Sequence, residues 1–227
     1  MSQLALFDVD GTLFLTHDEV AVAAFDATLA DHFGVTAAED ALDRVDHAGQ
    51  TSLRIARLVL REIGVPENAI DDTLRSWCAS FAECYLEQLA RADTRGWRAA
   101  PHAASALERL RSAGIRLALL TGNPEPVARA RLERLELARF FPRGQGAFGC
   151  EREDRRDLIE LAVRRGGLPR SEAVAVGDTP RDARSAHESG IRSVIVQSHR
   201  HAGPFPGADA VCSDLDEAAT QVLAWSG

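Results

Sequence analysis

Two aspartates one residue apart, Asp8 and Asp10, close an apolar run that begins at Leu4, and Gly11 and Thr12 follow them. On a strand, side chains at i and i+2 point to the same side, so both carboxylates emerge together while Val9 turns the other way. Paired acids at a strand end suit a hard cation such as Mg2+, which takes oxygen ligands. Asp-Gly alone is a common turn dipeptide; an apolar run that delivers two acids and then Gly-Thr is a sharper signal. Two other apolar runs lead into loops of similar chemistry, 115–120 into Thr121-Gly122-Asn123-Pro124 and 173–176 into Gly177-Asp178-Thr179-Pro180-Arg181-Asp182. In each a capping residue, Asn123 or Thr179, precedes a proline at the first helical position, where the missing amide hydrogen costs nothing. Such helix starts offer free amides and a positive dipole end to an anion.

These loops need strands that end side by side. The runs 4–8, 115–120, 173–176 and 193–196 read as buried strands, and 101–112 and 158–165 show helical periodicity between them. Strands alternating with helices predict an α/β fold: a Rossmann-like parallel sheet with helices on both faces, whose strand carboxyl ends bind ligand. A last strand over 208–212 leads to a helix beginning near Ser213. From 17 to 93 the rhythm breaks, with amphipathic helices at 18–33, 51–63 and 67–92 and no strand pattern. This is read as a helical insertion, 16–94, in a core of 1–15 and 95–227. Thr16 with Glu19 suits a capping box, Asp93-Thr94-Arg95-Gly96 suits a return loop, and the connections at 15–17 and 93–97 are candidate hinges.

Composition narrows the function classes. The 227 residues are 45% hydrophobic and 26% charged with a formal net charge of −8, which argues against disorder and against non-specific nucleic-acid binding. No apolar run approaches a membrane span and the amino terminus lacks a signal-peptide pattern, so a cytoplasmic protein is expected. Cys78, Cys84, Cys150 and Cys212 have no zinc spacing and are expected to be reduced thiols. His199 and His201 alternate without a third ligand and read as a solvated loop. There is no lysine, so every side-chain ammonium role falls to Arg.

The ordered set of motifs resembles the haloacid dehalogenase superfamily, specifically its phosphatases with a helical cap, the phosphoglycolate phosphatase-like proteins. Asp8, Asp10 and Thr12 match the first motif, Thr121 the second, and Gly177, Asp178 and Asp182 the fourth; the third commonly uses Lys, for which Arg155, or next Arg156, must substitute. The resemblance implies a Mg2+-dependent phosphatase acting on small phosphorylated metabolites. Asp8 would be the nucleophile that forms an aspartyl-phosphate, and Asp10 the acid and then the base. Asp8, Asp178 and the Asp10 carbonyl would bind metal; Thr121, Gly122, Asn123 and Arg155 would hold the phosphoryl oxygens, with Asp182 and Thr12 behind them. His17, Gln50, Thr51 and Arg54, in and around a cap loop, are the specificity candidates. Asp10 argues against a dehalogenase, since a leaving halide needs no proton. A phosphosugar mutase remains the enzymatic alternative and a non-catalytic binding or regulatory protein the other; the oligomeric state, monomer or homodimer, is open.

Overall fold

The computed structural model describes residues 3–35, 38–198 and 203–226; His199 and His201 lie outside them. Strands β1 (Leu4–Phe7), β2 (Arg116–Thr121), β3 (Ala147–Phe148), β4 (Ala173–Gly177), β5 (Arg192–Val196) and β6 (Ala210–Cys212) form one sheet in the order β3-β2-β1-β4-β5-β6, with every pairing parallel. Leu4 lies opposite Arg116 on one side and Ala173 on the other, so β1, β2 and β4 start level and end close together. Chain order reverses at β1, and the crevice above that switch point is where such sheets bind ligands.

The central strands are mostly apolar because both faces are covered. Ala5, Phe7, Leu117, Leu119, Val174 and Val176 face α5 (Ala103–Ser112) and α9 (Leu215–Ala224). Leu4, Leu6, Ala118, Leu120, Ala173 and Ala175 face α7 (Arg155–Gly166) and α8 (Pro180–Glu188). Two-residue β3 escaped the sequence reading because it is too short to show a period.

Between β1 and α5 the chain forms α1 (Glu19–Phe33), α2 (Ala38–Leu42), α3 (Ser52–Glu62) and α4 (Glu67–Leu89). Their buried apolar residues form a cluster of their own, centred on Trp77, which stacks on Phe81 at 5.5 Å while Phe25 meets both rings edge-on. The indole N–H donates to Thr28 Oγ1 at 3.0 Å. Helix α6 (Glu125–Arg134) serves both units: Val127 and Ala130 join the helical cluster, Ala128 and Leu132 the sheet cluster. The two connections run side by side, the Leu15 amide donating to the Arg98 carbonyl at 3.0 Å.

Three expectations need correction. Thr16 does not cap α1: its hydroxyl accepts from the Arg98 amide at 2.8 Å, and Asp18 is the N-cap, accepting from the amides of Val20 and Ala21. A carboxylate one residue from the helix reaches the orphan amides, and Thr16 is recruited to the joint between the connections. Asn123 does not cap α6; Pro124 holds that position and the Asn123 side chain turns into the site. The cysteines are not all reduced thiols, since Cys78 of α4 is disulfide-bonded to Cys150, which follows β3, whereas Cys84 and buried Cys212 are free. Separated by 72 residues, the bonded pair carries no local spacing signal. Among the described residues no helix is long and apolar enough to cross a membrane.

Candidate active site

The loops after β1, β2 and β4 meet beneath α3, enclosing a cavity of about 420 Å³. Asp8, Asp10, Arg155 and Asp178 line its floor, and His47, Gln50, Ser52 and Ile55 its roof. Asp8, Asp178 and Asp182 are buried, and each offers a carboxylate oxygen within 4.8 Å of the others. The Asp178 carboxylate accepts from Ser198 Oγ at 2.9 Å and Thr12 Oγ1 at 3.4 Å. It lies directly against Gly11, where φ is +79° and an added Cβ would sit 2.1 Å from Asp178 Oδ2. Both the turn and the close approach therefore require glycine.

Arg155, the first residue of α7 behind the Asp154 N-cap, is buried and ion-paired with Asp182 and, at 3.5 Å, with Asp8. Its Nη1 donates to the Gly49 carbonyl at 3.0 Å, while its buried Nε has no hydrogen-bond partner. A buried donor left unpaired is costly, and this one suits an anion. Arg156 is exposed, near Asp154 and Glu188. Asp182 is fully engaged: Oδ1 accepts from Arg155, and Oδ2 from the amide and hydroxyl of Thr179, which closes a capping box at the start of α8. Burial pushes the Asp8 carboxyl well above the ordinary carboxylate range; Arg155 pulls it down, and Asp182, Asp10 and Asp178 push it further up.

Asp10 stands apart from this cluster. Its side chain is 43% exposed and accepts from Arg131 Nη1 at 3.0 and 3.1 Å and from the Asn123 amide group. Thr121 is buried, and its hydroxyl accepts from the Asn123 amide at 3.3 Å.

The family model described as "haloacid dehalogenase-like hydrolase" matches residues 3–190. The chain belongs to that family. It is 29% identical over 200 residues to the phosphoglycolate phosphatase of Agrobacterium fabrum, covering 86% of this chain and 81% of that one. The phosphoglycolate phosphatase of Rhodospirillum rubrum is also 29% identical, over 220 residues covering 95% and 88%. Among solved structures, CbbY from Rhodobacter sphaeroides in complex with phosphate superposes with a TM-score of 0.70 at 25% identity, covering 96% of each chain. A mutant of CbbY in complex with xylulose-(1,5)bisphosphate gives 0.69. The chain is thus an enzyme, a phosphatase-like hydrolase of the haloacid dehalogenase-like family.

In this hydrolase the specificity candidates scatter. Gln50 lines the cavity, but Thr51 is fully buried as the N-cap of α3, accepting from the Arg54 amide and donating to the Glu153 carbonyl. Arg54 lines an adjoining cavity and lies 3.8 Å from Glu153, and His17 is exposed on the first connection. His47 and Ile55 were missed, and Ser52 was read only as part of the cap loop 49–52; with Gln50 they follow one another at one helical turn or less, a pattern visible only once α3 is known to face the sheet. Ser198 was missed because nothing before β5 ends beside β4 marks it.

Proposed function

We propose that this hydrolase releases phosphate from small phosphate monoesters, with Asp8 as nucleophile. The observation that carries the reading is the convergence of Asp8, Asp178 and Arg155 at the cavity floor. A Mg2+ ion fits the donor set: three buried carboxylates face one buried guanidinium, every donor is oxygen, and burial first, then the neighbouring acids, raise the proton affinity of Asp8, an effect that a positive charge would relieve. With Asp182 committed to Arg155 and Thr179, the holders would be Asp8, Asp178 and the Asp10 carbonyl. When bound, Mg2+ supplies the positive charge that lets an anionic nucleophile approach an anionic phosphate.

Asp8 Oδ attacks phosphorus, the ester bond breaks and an aspartyl-phosphate forms. The Asp10 carboxyl gives its proton to the departing oxygen, then takes one from the water that hydrolyses the acyl phosphate. Arg155, through its unpartnered Nε, and the hydroxyl of Thr121 with the amides of Gly122 and Asn123 hold the phosphoryl oxygens, where charge spreads in the transition state. His47, Gln50 and Ile55 face the rest of the substrate. The names of the relatives point to small phosphorylated acids and sugars as the class to screen.

The test is release of inorganic phosphate from p-nitrophenyl phosphate with and without Mg2+. Turnover is expected only with the metal, and loss of at least about a thousandfold in Asp8→Asn, as for removal of a covalent nucleophile. Equal rates in variant and wild type would remove Asp8 from the mechanism.

A further inference from the structure

Arg131 is buried in α6, yet it belongs to no part of the phosphoryl cluster. A guanidinium keeps its charge at any physiological pH, so a buried one must be matched by acids. Here two match it from opposite sides. Nε donates to Asp18 Oδ2 at 2.8 Å, and Nη1 donates to both oxygens of Asp10 and to Asn123 Oδ1 at 3.0 Å. The two acids differ in exposure. Asp18, 4% exposed at the side chain, is held by the amides of Val20 and Ala21 and by the hydroxyl of Tyr85, which donates to Oδ2 at 2.9 Å. Asp10 is 43% exposed at its side chain. The guanidinium itself is clamped, 5.2 Å from the ring centre of Phe14 and 5.7 Å from that of Tyr85. Burial disfavours its charge, but Asp10, Tyr85 and Asp18 raise its proton affinity above the ordinary value.

We infer that Arg131 is a positioning residue for Asp10: it fixes the exposed carboxylate of the cavity floor and ties that position to the base of the helical unit through Asp18 and Tyr85. The inference rests on the reading of Asp10 as the group that protonates the leaving oxygen. With Nε anchored on Asp18, Nη1 holds Asp10, and Asn123, gripped by the same Nη1 and donating to Asp10, closes the triangle. Lysine, a single point charge, cannot span Asp10 and Asp18 in this way.

The experiment compares phenyl phosphate with p-nitrophenyl phosphate, which are similar in shape but differ in their need for a proton, since p-nitrophenolate leaves without one. Because Arg131→Met alone strands Asp18 in the interior, the variants are Arg131→Lys, which keeps the charge, and the paired Arg131→Met with Asp18→Asn, which removes one charge of each sign; circular dichroism confirms that they fold. Asp18→Asn alone is the control for the pair. Positioned acid catalysis contributes about 10²–10⁴-fold, so kcat/KM, which reports the step that breaks the ester bond, should fall at least about tenfold further on phenyl phosphate than on p-nitrophenyl phosphate, with Arg131→Lys between wild type and the pair. In an Asp10→Asn background the same Arg131 substitutions should add no further loss, because they act through Asp10. Equal losses on both esters, or additive losses in the Asp10→Asn background, would overturn the role of Arg131. A wild-type rate on phenyl phosphate in Asp10→Asn would instead overturn the reading on which the inference rests.

Discussion

The carbonyl oxygen of Gly122 accepts from both the amide and the hydroxyl of Ser52, at 2.7 and 2.9 Å. One peptide unit of the loop after β2 is thereby fastened to the first residue of α3, the helix that roofs the cavity. Roof and floor thus meet through a backbone hydrogen bond that the Ser52 hydroxyl reinforces.

Gly122→Ala tests this joint. An added Cβ would lie 2.0 Å from the Gln50 carbonyl oxygen, so α3 and its loop must move away. Steady-state kinetics should show KM rising and kcat/KM falling at least about tenfold, since small displacements of positioned groups cost rate steeply. The melting temperature should fall by no more than about 4–8 °C, the equivalent of roughly 2 kcal/mol in a chain of this size.

Asp8→Asn should stabilise the metal-free protein while abolishing turnover. Folding raises the proton affinity of Asp8 above its ordinary value of 3.8, so the native state binds the proton more tightly than the unfolded chain. Stability attributable to this group is therefore greatest at low pH and declines as pH climbs from the unfolded value through the folded one. At pH 7 without Mg2+ the variant should melt a few degrees above wild type, and the gain should vanish near pH 4 and below. Saturating Mg2+ should raise the melting temperature of wild type and not of the variant; calorimetry at several pH values with and without the ion checks both statements.

Arg155→Met should be among the most destabilising single substitutions in the core. It leaves Asp182 and Asp8 buried without their cation, a change that typically costs about 3–5 kcal/mol. Arg155→Lys should retain the fold with weakened phosphate release, because an ammonium cannot serve Gly49, Asp182 and Asp8 together. Urea unfolding and phosphate-release assays on both variants check this.

Reduction of the bond between Cys78 and Cys150 should lower stability. Closing a loop of 72 residues restricts the unfolded chain by about 4 kcal/mol in the chain-entropy picture, with measured effects commonly about 2–4. Thermal melts with and without reductant should therefore separate for wild type and coincide for Cys78→Ser.

Replacing His47, Gln50 and Ile55 together should reorder a panel of phosphate esters, whereas Thr51→Ala should leave the order alone and cost about 0.5–2 kcal/mol as a lost helix cap. A panel assay beside a denaturation curve on each variant separates the two effects.

The parallel sheet was legible because β1, β2, β4 and β5 are buried on both faces and so are written as unbroken apolar runs ending in polar loops. Asp8 and Asp178 were legible for the same reason, each standing where such a run ends, whereas Arg155 was reached only through the family resemblance, because β3 before its helix is too short to read. The roof was not. Which side of α3 faces the sheet depends on the approach of Ser52 to Gly122, a contact between residues 70 apart in sequence. Arg131 was invisible as well: in a helix with arginines at 129, 131 and 134, charge implies solvent, and only the sharing of α6 between two apolar clusters puts it inside. Disulfide pairing and two-residue β3 depend on tertiary placement alone.

That shared helix bears on where this protein could be divided. An excised fragment carrying only α1–α4 would surrender its floor, because Val127 and Ala130 close the underside of the cluster around Trp77. Grafting the roof of a relative onto this base would accordingly demand that the upper surface of α6 travel with it.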